Sequence, residues 1–204
     1  MNGFDPVEPW SGKFIKEGWG EAWNENLKEI ADSPSKMKHG HELVSNGRVY
    51  DLKIDGGCAR AMVADDEEHE VRIDILPAKD GDEIEEGLYA NMLGTEDLIC
   101  MDTPEHPGCV LVDLLPDRHQ MFFQCNCSDK SPVCTHSAAA MYGIARRIDK
   151  DPLLLFRLRG LDPEAMFSRV SQRKARYLLN LGEVRTERAL TGEMSEEIFG
   201  FKTE

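Results

Sequence analysis

No apolar run in this chain of 204 residues approaches the length needed to cross a bilayer, so no membrane-spanning helix is expected. The opening residues, Met1-Asn2-Gly3-Phe4-Asp5-Pro6-Val7-Glu8, carry neither a basic region nor an apolar stretch, which argues against a signal peptide. Positive charge is scarce: 24 Lys/Arg stand against 38 Asp/Glu, a net charge of −14. So acidic a molecule repels phosphate backbones. There is no Gly-x-x-x-x-Gly-Lys-[Ser/Thr] phosphate loop, no strand-borne Gly-x-Gly-x-x-Gly and no Gly-x-Ser-x-Gly elbow. Internal repeats and low-complexity segments are also missing. With no catalytic motif to point to, the chain reads as non-enzymatic; the alternative is an enzyme whose site no motif marks. What it has is an ordinary apolar fraction, 41%, enough for a globular core.

It also has six cysteines. Cys58, Cys100 and Cys109 are scattered, and an odd number at irregular spacing argues against a secreted disulfide framework. The expected compartment is the reducing cytoplasm. Cys100 and Cys109 either form a second metal site with His106 or are buried free thiols. The other three stand with a histidine in Cys125-Asn126-Cys127-Ser128-Asp129-Lys130-Ser131-Pro132-Val133-Cys134-Thr135-His136. Cys-x-Cys, six residues, Cys-x-His is a ready four-ligand set for one Zn²⁺, which prefers four N/S donors in a tetrahedron. A six-residue loop with Asp, Ser and Pro can fold back and bring the two pairs together. The run after His136 reads as a helix, so Cys134 and His136 sit at its N-terminus, where free N–H groups favour thiolate. With all four positions filled by protein, the site is closed and structural.

Hydrophobic spacing organises the rest. Trp19, Trp23, Leu27 and Ile30 predict an amphipathic helix. Three short alternating segments predict an antiparallel meander: Tyr50, Leu52 and Ile54 on one face, then Ala59, Ala61 and Val63, then Val71, Ile73 and Ile75. Asp55-Gly56-Gly57 and Asp65-Asp66-Glu67-Glu68 are its turns. Ile84, Leu88, Met92 and Leu93 mark a second helix. Thr103-Pro104-Glu105-His106-Pro107-Gly108 is a loop. Val110 to Leu115 and His119 to Cys125, around Pro116-Asp117-Arg118, predict a hairpin that delivers the first two ligands. A further helix starts at Asp162-Pro163, with Asp162 as N-cap, and carries Met166, Phe167, Val170, Leu178 and Leu179. The tail from Thr191 to Glu204 is expected either to add a short helix or to be mobile.

The ligand pattern followed by an Ala-rich helix with Tyr142 resembles the SWIM zinc finger. Asp151-Pro152-Leu153-Leu154-Leu155-Phe156-Arg157-Leu158-Arg159-Gly160 resembles the helix end after the finger in bacterial and archaeal SWIM proteins. Trp19-Gly20-x-x-Trp23 and Gly47-Arg48-Val49 with Leu52 resemble their N-terminal region. The resemblance spans about Trp19 to Gly160 and carries the family's zinc ligands onto Cys125, Cys127, Cys134 and His136. Where many members have Cys-Pro-Asp-Trp, this chain has Cys127-Ser128-Asp129-Lys130, and Thr135 replaces a frequent Lys. The implied fold is α+β: an N-terminal helix and small antiparallel sheet, a zinc-pinned ββα finger, then C-terminal helices. The implied units are an N-terminal α+β region (1–109), the finger with its following helix (110–160) and a C-terminal helical extension (161–204). The implied role is protein–protein contact in a DNA-associated assembly, often beside a helicase-type ATPase.

Residues 146–188 hold eleven Lys/Arg against six Asp/Glu, and the remainder thirteen against thirty-two. Arg146, Arg147, Arg157, Arg159, Arg169, Arg173, Lys174 and Arg176 are therefore the candidate partner-binding or nucleic-acid-binding surface; the alternative is the solvated side of helices docked on the acidic part. Two other groupings are set aside. His39-x-His41 could be a metal pair on a strand, but no partner ligand lies nearby in sequence, and a surface pair is favoured. Asp65-Asp66-Glu67-Glu68 lacks the interleaved Gly and distal Glu of a calcium loop and reads as a solvated turn.

Overall fold

The computed structural model describes residues 7, 19–79, 81–90 and 114–189. Helix α1 (Trp19–Ile30) and helix α2 (Pro34–Ser45) lead into strands β1 (Val49–Asp55), β2 (Cys58–Ala64) and β3 (Glu68–Ile75). Helix α3 (Gly81–Ala90) follows, then a 3-10 turn at Arg118–Gln120 and strand β4 (Met121–Cys125). Helices α4 (Thr135–Lys150), α5 (Leu153–Leu158) and α6 (Pro163–Ala189) complete the described chain. The class is α+β, with one antiparallel sheet in the order β1-β2-β3-β4.

The turn between β1 and β2 is as tight as a hairpin allows. Gly56 and Gly57 have φ of 52° and 80°, the left-handed region that a two-residue type I′ loop requires at both central positions. Within β1 the register shifts between Tyr50 and Lys53, and Asp51 sits at φ 49°. This bulge corrects the predicted face. Val49 pairs with Val63 and Ile54 with Ala59, so both point to the core side with Leu52. Tyr50 pairs with Met62 on the opposite side, where its hydroxyl donates to Glu68.

Helix α4 lies across the core face and touches all four strands, while α1 and α2 pack on its far side. It is buried almost throughout, from His136 to Ala145. Its alanines let backbones approach closely: a Cβ added to Gly40 would lie 2.8 Å from Ala138 Cβ, and one added to Gly20 would lie 2.9 Å from the Ala145 carbonyl. Trp23, fully buried, donates its indole N–H to the Met141 carbonyl at 3.2 Å. Thus the predicted first helix and three-stranded meander are present, and the core is a helix pair, a central helix and a sheet.

Several expectations are corrected. Segment 34–45, where His39 and His41 would have shared a strand face, is a helix with Pro34 at its first turn. The predicted hairpin partner of β4 is not formed at Leu114 and Leu115, which lie outside any strand, while positions 110–113 lie outside the described residues. Strand β4 pairs instead with β3, Val71 opposite Cys125 and Ile75 opposite Met121. It begins at Met121 rather than His119, because Asp117 caps the preceding turn. The Asp117 carboxylate accepts from the N–H groups of His119 (2.7 Å) and Gln120 (3.1 Å), and the Gln120 side chain accepts in return from the Asp117 N–H. Helix α6 starts as predicted, with Asp162 accepting from Ala165 N at 2.9 Å. Met166, Phe167 and Val170 are buried, but Leu178 and Leu179 are exposed, 56% and 69%. Met92, Leu93, Cys100, His106, Cys109, the loop 103–108 and the tail 191–204 lie outside the described residues.

Candidate metal centre

The four predicted ligands converge. Cys125 ends β4, Cys127 follows the one-residue spacer Asn126, and Cys134 and His136 open α4. Their donor atoms all lie within 4.8 Å of one another. Cys125 Sγ is 3.7 Å from His136 Nδ1, close to the spacing of about 3.6 Å that two ligands take around a tetrahedral zinc-sized ion. The donor set and its geometry therefore suit a metal ion.

Local chemistry explains why the chain folds this way. The loop between the pairs is built on Asp129, whose carboxylate accepts from the Ser131 N–H (2.9 Å) and hydroxyl (2.8 Å). Lys36 of α2 reaches the same carboxylate at 2.6 Å, tying the loop to the helix layer. Lys36, then the Ser131 backbone and hydroxyl, hold the Asp129 carboxyl well below the usual range. Cys134 is the N-cap of α4, and its sulfur accepts from Ser137 N at 3.3 Å. Burial opposes ionisation of Cys134 most strongly, but the Ser137 hydroxyl and N–H and the Cys127 and Cys125 thiols together outweigh it, leaving the thiol below its ordinary pKa. Burial pushes Cys125 up. Burial also lowers His136, with neighbouring His69 adding to it, so the imidazole favours the neutral form that binds metal.

Around the ligands lies a second set of groups from the β2–β3 turn, a turn set aside in the sequence. Asp65 Oδ2 stands 3.4 Å from His136 Nε2, and Asp65 Oδ1 3.8 Å from His39 Nε2. The His69 ring stacks on His136 with centroids 3.8 Å apart. His69 Nδ1 is 3.2 Å from Asn126 Oδ1, which also accepts from the Glu70 N–H. Asp65, His69 and Asn126, with Asp66 and Glu67, border an open cleft of about 460 Å³ beside the candidate ligands. No spacing rule reaches Asp65 or His69, because only the β2–β3 hairpin brings them beside residues far along the chain.

The basic candidates are spread out. Arg169 and Arg173 of α6 pair with Glu85 and Glu86 of α3, and Arg173 also lies over the Tyr89 ring at 4.1 Å. Arg157 pairs with Glu164. Arg159 is buried, with Nε and Nη1 lacking a hydrogen-bond partner among the described residues. Arg146 and Arg147 are half-buried on α4; on α6 Lys174 is half-buried and Arg176 exposed. Cys58 is a half-buried free thiol, its pKa raised by burial and then by Asp74. No helix among the described residues is long and apolar enough to cross a membrane. Compared with models of known protein families, with curated proteins and with solved structures, the chain matches none.

Proposed function

We propose that this protein is a SWIM-type interaction module whose Cys125, Cys127, Cys134 and His136 hold one structural zinc ion. The observation that carries this reading is the convergence of three sulfurs and one imidazole nitrogen within 4.8 Å, all from the protein, at a strand end and a helix start. Such a donor set suits zinc, and four protein ligands leave no position for substrate, which favours scaffolding over catalysis. The ion would fasten β4 to α4 and so fix the surface around them. In the setting the SWIM resemblance implies, that surface docks on a protein partner in a DNA-associated assembly with a helicase-type ATPase in the reducing cytoplasm. Pairing of Arg157, Arg169 and Arg173 with carboxylates supports a protein partner over phosphate, since those charges are already engaged.

Elemental analysis of the purified protein should find one zinc per chain, removed by a strong chelator. Affinity capture from native extract should recover a helicase-type ATPase before chelation and lose it after. A gel-shift series with duplex and single-stranded DNA should show no retardation even at low salt. Salt-sensitive retardation would replace the protein-partner reading with direct nucleic-acid binding through the 146–188 segment.

A further inference from the structure

We propose that Asp65 is a positioning residue for the metal centre, the outer carboxylate that selects the nitrogen His136 presents to the ion. The inference rests on the zinc reading above. Imidazole has two ring nitrogens, and the partner of one decides which is free to ligate. Here Nδ1 faces the sulfur cluster, 3.7 Å from Cys125, and Nε2 faces Asp65 at 3.4 Å. That separation is within ion-pair range and just outside ordinary hydrogen-bond length. With its proton on Nε2, the ring aims an unprotonated Nδ1 at the metal. A metal-ligating histidine backed by a carboxylate holds its tautomer and ring plane, and loss of such a partner typically weakens metal binding 10–100-fold.

Three further contacts make Asp65 part of a built wall rather than a passing neighbour. His69 lies flat against His136, 23° from parallel, and restricts the same ring from its face. His69 is in turn tied to Asn126, the spacer between Cys125 and Cys127. Asp65 is held by its own backbone, donating from N–H to the Glu67 carbonyl at 3.0 Å in the β2–β3 turn. The carboxylate thus projects from a rigid hairpin onto the ligand's outer edge. Asp66 and Glu67 share the turn, but neither has a described contact to a ligand residue, which makes Asp66 a control.

Zinc affinity of the full chain, measured by competition with a chromophoric chelator, tests this. Asp65→Ala should bind one zinc 10–100-fold more weakly than the parent, while Asp66→Ala stays within about twofold. Asp65→Asn keeps an oxygen acceptor and should recover part of the loss. Imidazole ¹⁵N spectra of the zinc-loaded parent should show His136 metallated at Nδ1, with an Nε2 proton whose exchange is slowed, and Asp65→Ala should lose that protection. If Asp65→Ala does not fold, Asp65→Asn and the parent's spectrum decide: an Nε2-bound metal in the parent overturns the assignment. Parent-like affinity in Asp65→Ala overturns it too and leaves the zinc reading intact, whereas a parent that binds no zinc overturns both.

Discussion

His136 meets groups of three chemistries at once: sulfurs at Nδ1, a carboxylate at Nε2 and a second imidazole across its face. Removing it leaves three thiols around an incomplete set in a partly buried pocket. His136→Ala, or Cys127→Ser, should therefore release zinc and destabilise the fold rather than only blunt activity. Structural zinc contributes roughly 10–16 kcal/mol of apparent binding energy in small finger peptides. If only ~3 kcal/mol of that supports folding here, Tm falls by about 6–12 °C in a chain this size. Calorimetry beside metal analysis checks this, and an unchanged Tm with full zinc content would count against a structural ion. These four ligands were legible because their chemistry is local, a dozen consecutive residues. Asp65 and His69 were not, since Asp65 looked like part of a solvated turn and no motif included His69; the hairpin places both beside His136.

Among the elements, α4 has the densest surroundings, with a sheet on one side and two helices on the other. Close approach depends on small residues, above all Gly40 against Ala138. A methyl group at position 40 would lie 2.8 Å from both Ala138 Cβ and Ala139 N. Backbone would have to move, and overpacking of this kind costs about 1–3 kcal/mol. Gly40→Ala should lower the denaturant midpoint accordingly; an unshifted midpoint would mean that α2 and α4 stand farther apart. The same glycine explains why α2 escaped a reading by hydrophobic spacing. Its buried face is Met37, Gly40, Leu43 and Val44, and a glycine gives no apolar signal. Helix α1 was legible because two tryptophans, a leucine and an isoleucine mark its face. The bulge at Asp51 left no trace in the alternation, which put Tyr50 on the wrong side of the sheet. Leu178 and Leu179 kept the apolar pattern of α6 without the burial that usually goes with it.

In the whole molecule, the ligand-bearing strand belongs to the same sheet as the meander, and residues on both sides of position 110 share one core. That pairing was illegible because a strand's partner is chosen by tertiary packing, and the nearer candidate was a hairpin. A peptide of residues 114–160 would retain every ligand but lose β3, Asp65, His69 and the Lys36 anchor. Its zinc affinity should be at least tenfold below that of the full chain, with little regular structure by circular dichroism. Equal affinity would show that the ligand segment folds on its own. Acidity and basicity are likewise arranged across the whole: α6 turns Arg169 and Arg173 toward Glu85 and Glu86, so these two positive charges are paired internally. These exposed pairs orient α6 more than they stabilise it.

The bond between β3 and β4 also sets an order of events. As the chain is made, the meander that supplies the outer wall emerges well before the thiols of the candidate centre, so that wall can form first. An ion taken up by the four residues as proposed would then meet a wall already supplied by β3 and its turn.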